Sequence, residues 1–381
     1  MMHIKLGKII KLANVKRAGK NDLPILSMTM RDGLVDQAEK FKKRIASADT
    51  SQYKIVARNQ LVVGFPIDEG VLAFQRLYDS AIVSPAYNIW DLQGGVPINL
   101  QYLERFLRSP HAVAFYKSKL RNTTARRRSL PNDIFLSLPV PTPPLPQQDR
   151  IVRILNEADN LRELRAEADQ RTSAYIPSLF HEMFGDLATN PKGWPAKSLG
   201  EVLEISRERI EPTEHPQTSF NYIGLEQIER HTGNLVQYES TPGAEIKSTK
   251  NVFHRDEVLY GKLRPYLNKV HLADKEGICS TDIFVLRPHR CQLHSYYVAS
   301  FLRSSFVLSF VSNAMAGANL PRIGQGALLG IRTPIPPLTL QEKFAARVSE
   351  IRELEAAQSS SRQRLDDLFQ SILYRAFNGE L

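Results

Sequence analysis

Pro143-Pro144-Leu145-Pro146-Gln147-Gln148 and Pro336-Pro337-Leu338-Thr339-Leu340-Gln341 share the pattern Pro-Pro-Leu-x-x-Gln, 193 positions apart. Proline fixes φ and donates no backbone hydrogen bond. Each proline cluster therefore reads as an extended boundary, with a helix opening just after it. Working outward, Lys5-Leu6-Gly7-Lys8-Ile9-Ile10 is echoed by Ser198-Leu199-Gly200-Glu201-Val202-Leu203, and Val62-Val63-Gly64 by Leu259-Tyr260-Gly261. Tyr102 with Phe106-Leu107-Arg108-Ser109 is echoed by Tyr297 with Phe301-Leu302-Arg303-Ser304, and Phe184-Gly185-Asp186-Leu187 by Phe377-Asn378-Gly379-Glu380-Leu381. Five matches in the same order, at a nearly constant offset, mark a duplication. The 381 residues form two tandem halves of about 190.

Each half repeats one internal order. A mixed block of about 140 residues comes first. It holds strand-like runs such as Gln60-Leu61-Val62-Val63-Gly64-Phe65 and Ile283-Phe284-Val285-Leu286, and helical runs over 100–120 and 293–311. The proline cluster follows, then a long helix. The first helix is expected over 147–172, with Tyr175–Phe184 as a second segment. Its stripe is Ile151, Ile154, Ala158, Leu161 and Ala168, with Arg165 in one slot. The C-terminal helix is expected from about 340 to 377, with Phe344, Val348, Ile351 and Leu354 as one stripe and Leu365, Leu368, Ile372 and Ala376 as another. The polar stretch 356–364 between them reads as a break or a solvated turn. Narrow stripes suit a two-helix seam better than a fully buried helix, so the two helices are expected to pack on each other. A helix of about 27 residues is about 40 Å long, close to the about 34–36 Å that separates equivalent groove faces of B-DNA. Two basic blocks held apart by such a rod suit two half-sites on one face of a duplex. Diverged halves imply unlike half-sites.

Charge supports that reading. The net charge is +10, and it is uneven: residues 1–140 carry +11, 141–187 carry −3, 188–338 carry +3 and 339–381 carry −1. Like charges at that density repel unless a partner supplies counter-charge, and nucleic-acid phosphate is the usual one. Two cysteines, Cys279 and Cys291, exclude a disulfide scaffold and fit a reducing, cytoplasmic setting. No apolar run reaches the about 18 residues of a membrane helix.

Motifs for catalysis are missing. There is no Asn-Pro-Pro-Tyr or Asp-Pro-Pro-Tyr loop and no phosphate-binding Gly-x-x-x-x-Gly-Lys-Ser/Thr loop. Gly324-Gln325-Gly326 through Gly330 has the wrong glycine spacing and reads as a turn with a packed helix. Glu245-Ile246-Lys247 lacks the Pro-Asp partner of a nuclease site. His289-x-Cys291-x-x-His294 lacks a nearby fourth ligand, so no metal is expected. The candidate DNA contacts are Lys16, Arg17 and Lys20 in one loop and Arg126-Arg127-Arg128 before the first boundary. In the second half they are Lys262, Arg264 and Lys269, flanking Tyr266 and Asn268, with Asn319 and Arg322 in the loop that corresponds to the arginine run. Guanidinium groups bind phosphate and pair bidentately with guanine.

Over its whole length the chain resembles the DNA specificity (S) subunit of type I restriction-modification systems. The resemblance rests on the two Pro-Pro-Leu-x-x-Gln openings, the closing Phe-Asn-Gly-Glu-Leu, and Tyr260-Gly261-Lys262-Leu263-Arg264-Pro265-Tyr266-Leu267-Asn268-Lys269 followed by Gly277-Ile278-Cys279-Ser280-Thr281-Asp282-Ile283. It implies an α+β fold. Two tandem α/β-type target recognition domains, 1–143 and 188–336, are each followed by a helical segment, 144–187 and 337–381, and the helices pair as an antiparallel coiled-coil spacer. It also implies double-stranded DNA, methyltransferase (M) subunits and, through the complex, motor-nuclease (R) subunits as partners. S-adenosylmethionine, ATP and Mg would sit on those partners, with no cofactor and no catalysis on this chain. The first half departs from the pattern, because Phe65-Pro66-Ile67-Asp68 stands where the second has Lys-Leu-Arg-Pro-Tyr. An alternative of another class is a coiled-coil scaffold whose basic domains bind nucleic acid nonspecifically or bind a protein.

Overall fold

Alternation along short strands explains the sheet in each half. Leu61 and Val63 enter one core while Val62 enters another, and Trp90 and its neighbour Ile89 divide the same way. In the second half Val258 and Tyr260 enter one core and Leu259 the other, and Leu286 is divided from Val285 likewise. A strand with apolar residues on both faces must be covered on both. The computed structural model, which describes residues 2–41, 46–120, 130–236, 238–315 and 320–381, builds two compact units on this principle. One comprises Met1–Leu164 with Arg362–Leu381, the other Arg165–Ser361.

The first unit has a four-stranded antiparallel sheet in the order Ile10–Leu12, Asn88–Leu92, Leu61–Val63, Leu72–Phe74. The second repeats it as Leu203–Ile205, Ile283–Pro288, Val258–Gly261, Val270–Leu272. A two-stranded ribbon accompanies each sheet: His3–Lys5 with Pro139–Pro141, and Ala196–Ser198 with Arg332–Pro334. Two helices follow the sheet's last strand, Leu100–Leu107 and Pro110–Lys119 in the first unit, Ser295–Arg303 and Ser305–Asn313 in the second. Their starts are capped in the same way. Asn99 and His294 cap the first helix of each pair, and Ser109 and Ser304 cap the second.

The repeated Pro-Pro-Leu-x-x-Gln has a physical reason. Gln148 is fully buried, and its amide serves three backbone groups. It accepts from Asn99 N (2.8 Å) and donates to the carbonyls of Pro97 (3.2 Å) and Pro143 (2.8 Å). Gln341 accepts from His294 N (2.8 Å) and donates to Gln292 (3.0 Å) and Pro336 (2.8 Å). Proline supplies a carbonyl with no competing N–H, and glutamine supplies both donor and acceptor. One turn thereby staples the start of the long helix to the loop before the helix pair. Tyr102 and Tyr297 add a second staple, donating to the carbonyls of Pro141 (3.0 Å) and Pro334 (2.7 Å).

The long helices run over Leu145–Ser173, with Tyr175–Phe184 after it, and over Leu338–Asn378. The break expected at 356–364 does not occur. That stretch holds no glycine or proline, and Ala, Gln and Arg propagate a helix well enough to carry three serines. The apolar stripes are also rotated from those read off the sequence. Ile151, Val152 and Leu155 are buried, Ile154 and Ala158 are half-buried, and Leu161 is 50% exposed. In the second helix Phe344 and Val348 are buried and Ile351 is half-buried, but Leu354 is 48% exposed. Leu161 and Leu354 are therefore not seam residues. The reason is that each helix first serves the core of its own unit. Ile151 and Leu155 join Tyr102 and Phe106, and Phe344 and Val348 join Tyr297 and Phe301.

Within each unit the helical segments pair antiparallel. In the first, Gln147 donates to the Leu381 carbonyl (2.6 Å), and Arg162 meets Asp366 (2.7 Å) while lying over the Phe369 ring. In the second, Gln358 donates to Thr172 Oγ1 (3.0 Å), and Phe180 and Phe184 pack edgewise on Phe344. Phe377 packs at steep angles against Tyr102 and Phe106 in one unit as Phe184 packs edgewise against Tyr297 in the other. No helix among the described residues is long and apolar enough to cross a membrane.

Candidate nucleic-acid interface

The second unit gathers basic groups at the end of strand Val258–Gly261. Lys262 N donates to the Asp282 carbonyl (2.9 Å) and Ile323 N donates to that of Lys262 (3.1 Å). Leu263 and Arg322 form an antiparallel bridge, and Arg264 N donates to the Pro321 carbonyl (2.7 Å). Residues 262–264 therefore lie alongside 321–323, which brings Lys262, Arg264 and Arg322 to one edge although they are far apart in sequence. Arg264 and Arg322 are exposed and Lys262 is half-buried, with its ammonium over the Phe284 ring at 5.4 Å. Asp282 lies 3.5 Å from Arg322 and neutralises it only loosely.

The backbone beside this edge is held in an uncommon shape. Arg264 and Asn268 both take left-handed conformations, φ 49° and 50°, on either side of the one-turn helix Pro265–Leu267. Side chains other than glycine adopt that region at a cost, so surrounding bonds must impose it. Asn268 is buried and donates to the Arg303 carbonyl (2.9 Å), and its own carbonyl accepts from His231 N (3.1 Å). Pro265 is buried, and Tyr266 is left 43% exposed at the tip. Tyr266 is thus not a core residue.

Lys269 does not join this edge. Its ammonium turns inward to the Leu225 carbonyl, and burial, helped by the nearby Arg230, pulls its pKa below the usual lysine value. A lysine committed to a backbone carbonyl has lost much of its reach towards a phosphate, which weakens the expectation that Lys269 is a DNA contact.

In the first unit Lys16, Arg17 and Lys20 are all exposed. Their loop is pinned to 51–55: Ala18 N donates to Tyr53 O, Gly19 N to Ser51 O and Ile55 N to Lys16 O. Arg17 pairs with Lys54 across a β-bridge and donates to the Gln52 carbonyl (2.7 Å). Lys54 itself is turned to the Tyr87 carbonyl, and burial, aided by Arg17, lowers its pKa. Where the second unit has Lys262 to Leu267, the first has Phe65-Pro66 and a one-turn helix Ile67–Glu69, with no basic side chain. Arg126, Arg127, Arg128 and Asn319 lie outside the described residues. His294 is a helix cap, accepting from Tyr296 N, and among the described residues no cluster of His, Cys, Asp and Glu suits a metal ion.

The molecule is thus a duplicated sheet-and-helix frame that presents different edges in its two copies, and the comparisons with known proteins bear on it. Residues 191–361 match the type I restriction modification DNA specificity domain. That match lies in the second half of the chain, which is similar there to type I restriction-modification specificity subunits. It is 29% identical over 200 residues to the specificity subunit of the Escherichia coli restriction enzyme EcoDI, covering 51% of this chain and 44% of that one. It is 33% identical over 207 residues to the EcoKI specificity subunit of E. coli K12, covering 50% and 44%. The chain thus spans less than half the length of these E. coli relatives. A Methanocaldococcus jannaschii specificity subunit, MjaVIII, is 20% identical over 296 residues, covering 70% and 69%. Among solved structures, a chain from work on complex assembly and conformational transition of the type I R-M system superposes with TM-score 0.63 at 18% identity, covering 100% of this chain and 98% of that one. The type I system S subunit of M. genitalium superposes at 0.54 with 13% identity, covering 99% and 96%. At such identities these two likenesses speak for the fold alone.

Proposed function

We propose that the chain is the sequence-specific DNA-binding subunit of a type I restriction-modification complex. Residues 1–143 and 188–336 act as target recognition domains, each reading one half of a bipartite, asymmetric site. The helical segments 144–187 and 337–381 space the two domains and dock the methyltransferase subunits, and motor-nuclease subunits join through the complex. The chain performs no catalysis, and S-adenosylmethionine, ATP and Mg belong to its partners. The observation that carries this reading is the repeated Gln148/Gln341 staple beneath unlike edges: one frame, two surfaces. Lys16, Arg17 and Lys20 in one domain and Lys262, Arg264 and Arg322 in the other supply the phosphate and base contacts, with Arg126–Arg128 and Asn319 as further candidates. A shared frame lets one set of partner subunits dock in the same way on both halves, while different loops read different bases.

The test is to map N6-methyladenine across the genome with and without the gene, then with residues 1–143 exchanged for another recognition domain. Loss of a split motif on deletion, and a change in only one half of it on exchange, are expected. If both halves change, or neither, the two-domain reading fails.

A further inference from the structure

The duplication supplies an internal control for one cleft. In the first unit Arg105 lies opposite Asp159 of the long helix at 2.7 Å, Asp159 also meets Arg162 (3.3 Å), and Arg162 meets Asp366 (2.7 Å). The acids and bases form a closed chain. The duplication offsets place Ser300 where Arg105 stands, Arg352 where Asp159 stands and Glu355 where Arg162 stands. In the second unit the acid has become a base, and its long partner has become a serine. The space this leaves is part of a cleft of about 770 Å³, within the range of small-molecule sites.

The polar groups at its floor are incompletely satisfied. Ser300 is 8% exposed, and its hydroxyl has no hydrogen-bond partner among the described residues. One turn along the same helix, Arg303 makes one side-chain hydrogen bond, to the Thr232 carbonyl, and forms no ion pair among the described residues. Its first-unit counterpart Arg108 donates to two carbonyls, those of Met30 (2.6 Å) and Arg31 (3.1 Å). Crowding by protein atoms, reinforced by Arg352, pulls the Arg303 guanidinium down to about 9, which leaves it charged at neutral pH. Arg352 is already bridged to Glu355 (2.8 Å), so that carboxylate offsets the Arg303 charge only from a distance and only in part. Asp186, also on the cleft wall, uses its carboxylate on the N–H groups of Ala188 and Thr189. A crowded cation with no ion pair of its own is costly, and a buried hydroxyl without a partner adds to that cost.

The rest of the wall narrows the chemistry. Ser304 and Ser305, at the start of the nine-residue Ser305–Asn313 helix, line the same cleft, and a helix start favours negative charge. Ile176, Phe180, Phe306 and Phe310 give it an apolar side. We propose that this cleft binds a small organic oxyanion, a carboxylate or phosphate carried on an apolar body, with the anion against Arg303 and Ser300 and the body against Phe180 and Phe306. The occupant supplies the counter-charge that Asp159 supplies to Arg105 in the other unit.

Binding in this cleft does not depend on DNA, and no DNA is present in the experiment. Phenyl phosphate, phenylacetate, inorganic phosphate and benzyl alcohol are titrated calorimetrically into the full chain. One phenyl phosphate or phenylacetate per chain is expected, with phosphate alone and benzyl alcohol at least about tenfold weaker, since each half of the recognition then goes unused. Arg303→Gln should abolish binding, and Arg108→Gln, at the matching place in the first unit, should leave it intact. If Arg303→Gln does not fold, Ser309→Trp decides, because Ser309 is exposed on the cleft wall and a bulky ring there blocks entry without touching the core. No saturable binding of either aromatic anion, or binding unchanged by Ser309→Trp, overturns the proposal.

Discussion

Two places in the duplicated frame respond oppositely to divergence. At Gln148 and Gln341 the side chain, its burial, its three backbone partners and its position after the prolines are all the same. At the edges beside the central strands nothing basic is shared: 262–267 carries Lys262 and Arg264, whereas 65–69 carries Phe65 and Asp68. The difference follows from solvent. A buried amide serving three backbone groups has no substitute of the same shape and hydrogen-bonding capacity, so the frame holds it fixed. An exposed edge carries no such constraint and is free to take whatever its ligand demands.

The strongest way to break the comparison is to remove the matching aromatic anchors. Phe184→Ala in the second unit and Phe377→Ala in the first should each cost about 3–5 kcal/mol in denaturant unfolding, because both rings fill cores between helix and sheet. If only one matters, the halves do not share a frame. Next come the staples. Gln148→Leu and Gln341→Leu each strand one N–H and two carbonyls and should cost about 2–3 kcal/mol. Loss of the same size at both sites sharpens the comparison, and indifference at either dissolves it. The smallest effects belong to the edges. Lys262→Ala, Arg264→Ala and Arg322→Ala should each lower the slope of log affinity against log salt by about one, whereas Lys269→Ala, already turned inward, should leave the slope unchanged. A slope that responds to Lys269 and not to Arg322 would reverse the assignment of that edge.

The frame was legible in the sequence because repetition needs no knowledge of contacts. Pro-Pro-Leu-x-x-Gln, Tyr102/Tyr297 and Phe184/Phe377 announced equivalent positions before their roles were known. The seam was read less well. Helical spacing made Ile154 and Leu161 as eligible as Val152 and Leu155, and only the location of Tyr102 and Phe106 decided which side faces inward. Leu354 failed for the same reason. Lys269 looked equivalent to Lys262, but the one-turn helix Pro265–Leu267 and the left-handed Asn268 lie between them, and the Lys269 ammonium reaches the Leu225 carbonyl. No local pattern records that.

The first unit draws Phe369, Leu373, Ala376 and Phe377 into its core from residues more than two hundred positions beyond Leu155, whereas the second is built from an uninterrupted stretch, Arg165–Ser361. On a ribosome adding about 5–20 residues per second, the second unit has all its parts once residue 361 has emerged. The first, although translated earlier, must wait for the final helical turns before its aromatic cluster closes. Until then the apolar face around Tyr102 and Phe106 lacks the Phe377 ring that packs on it.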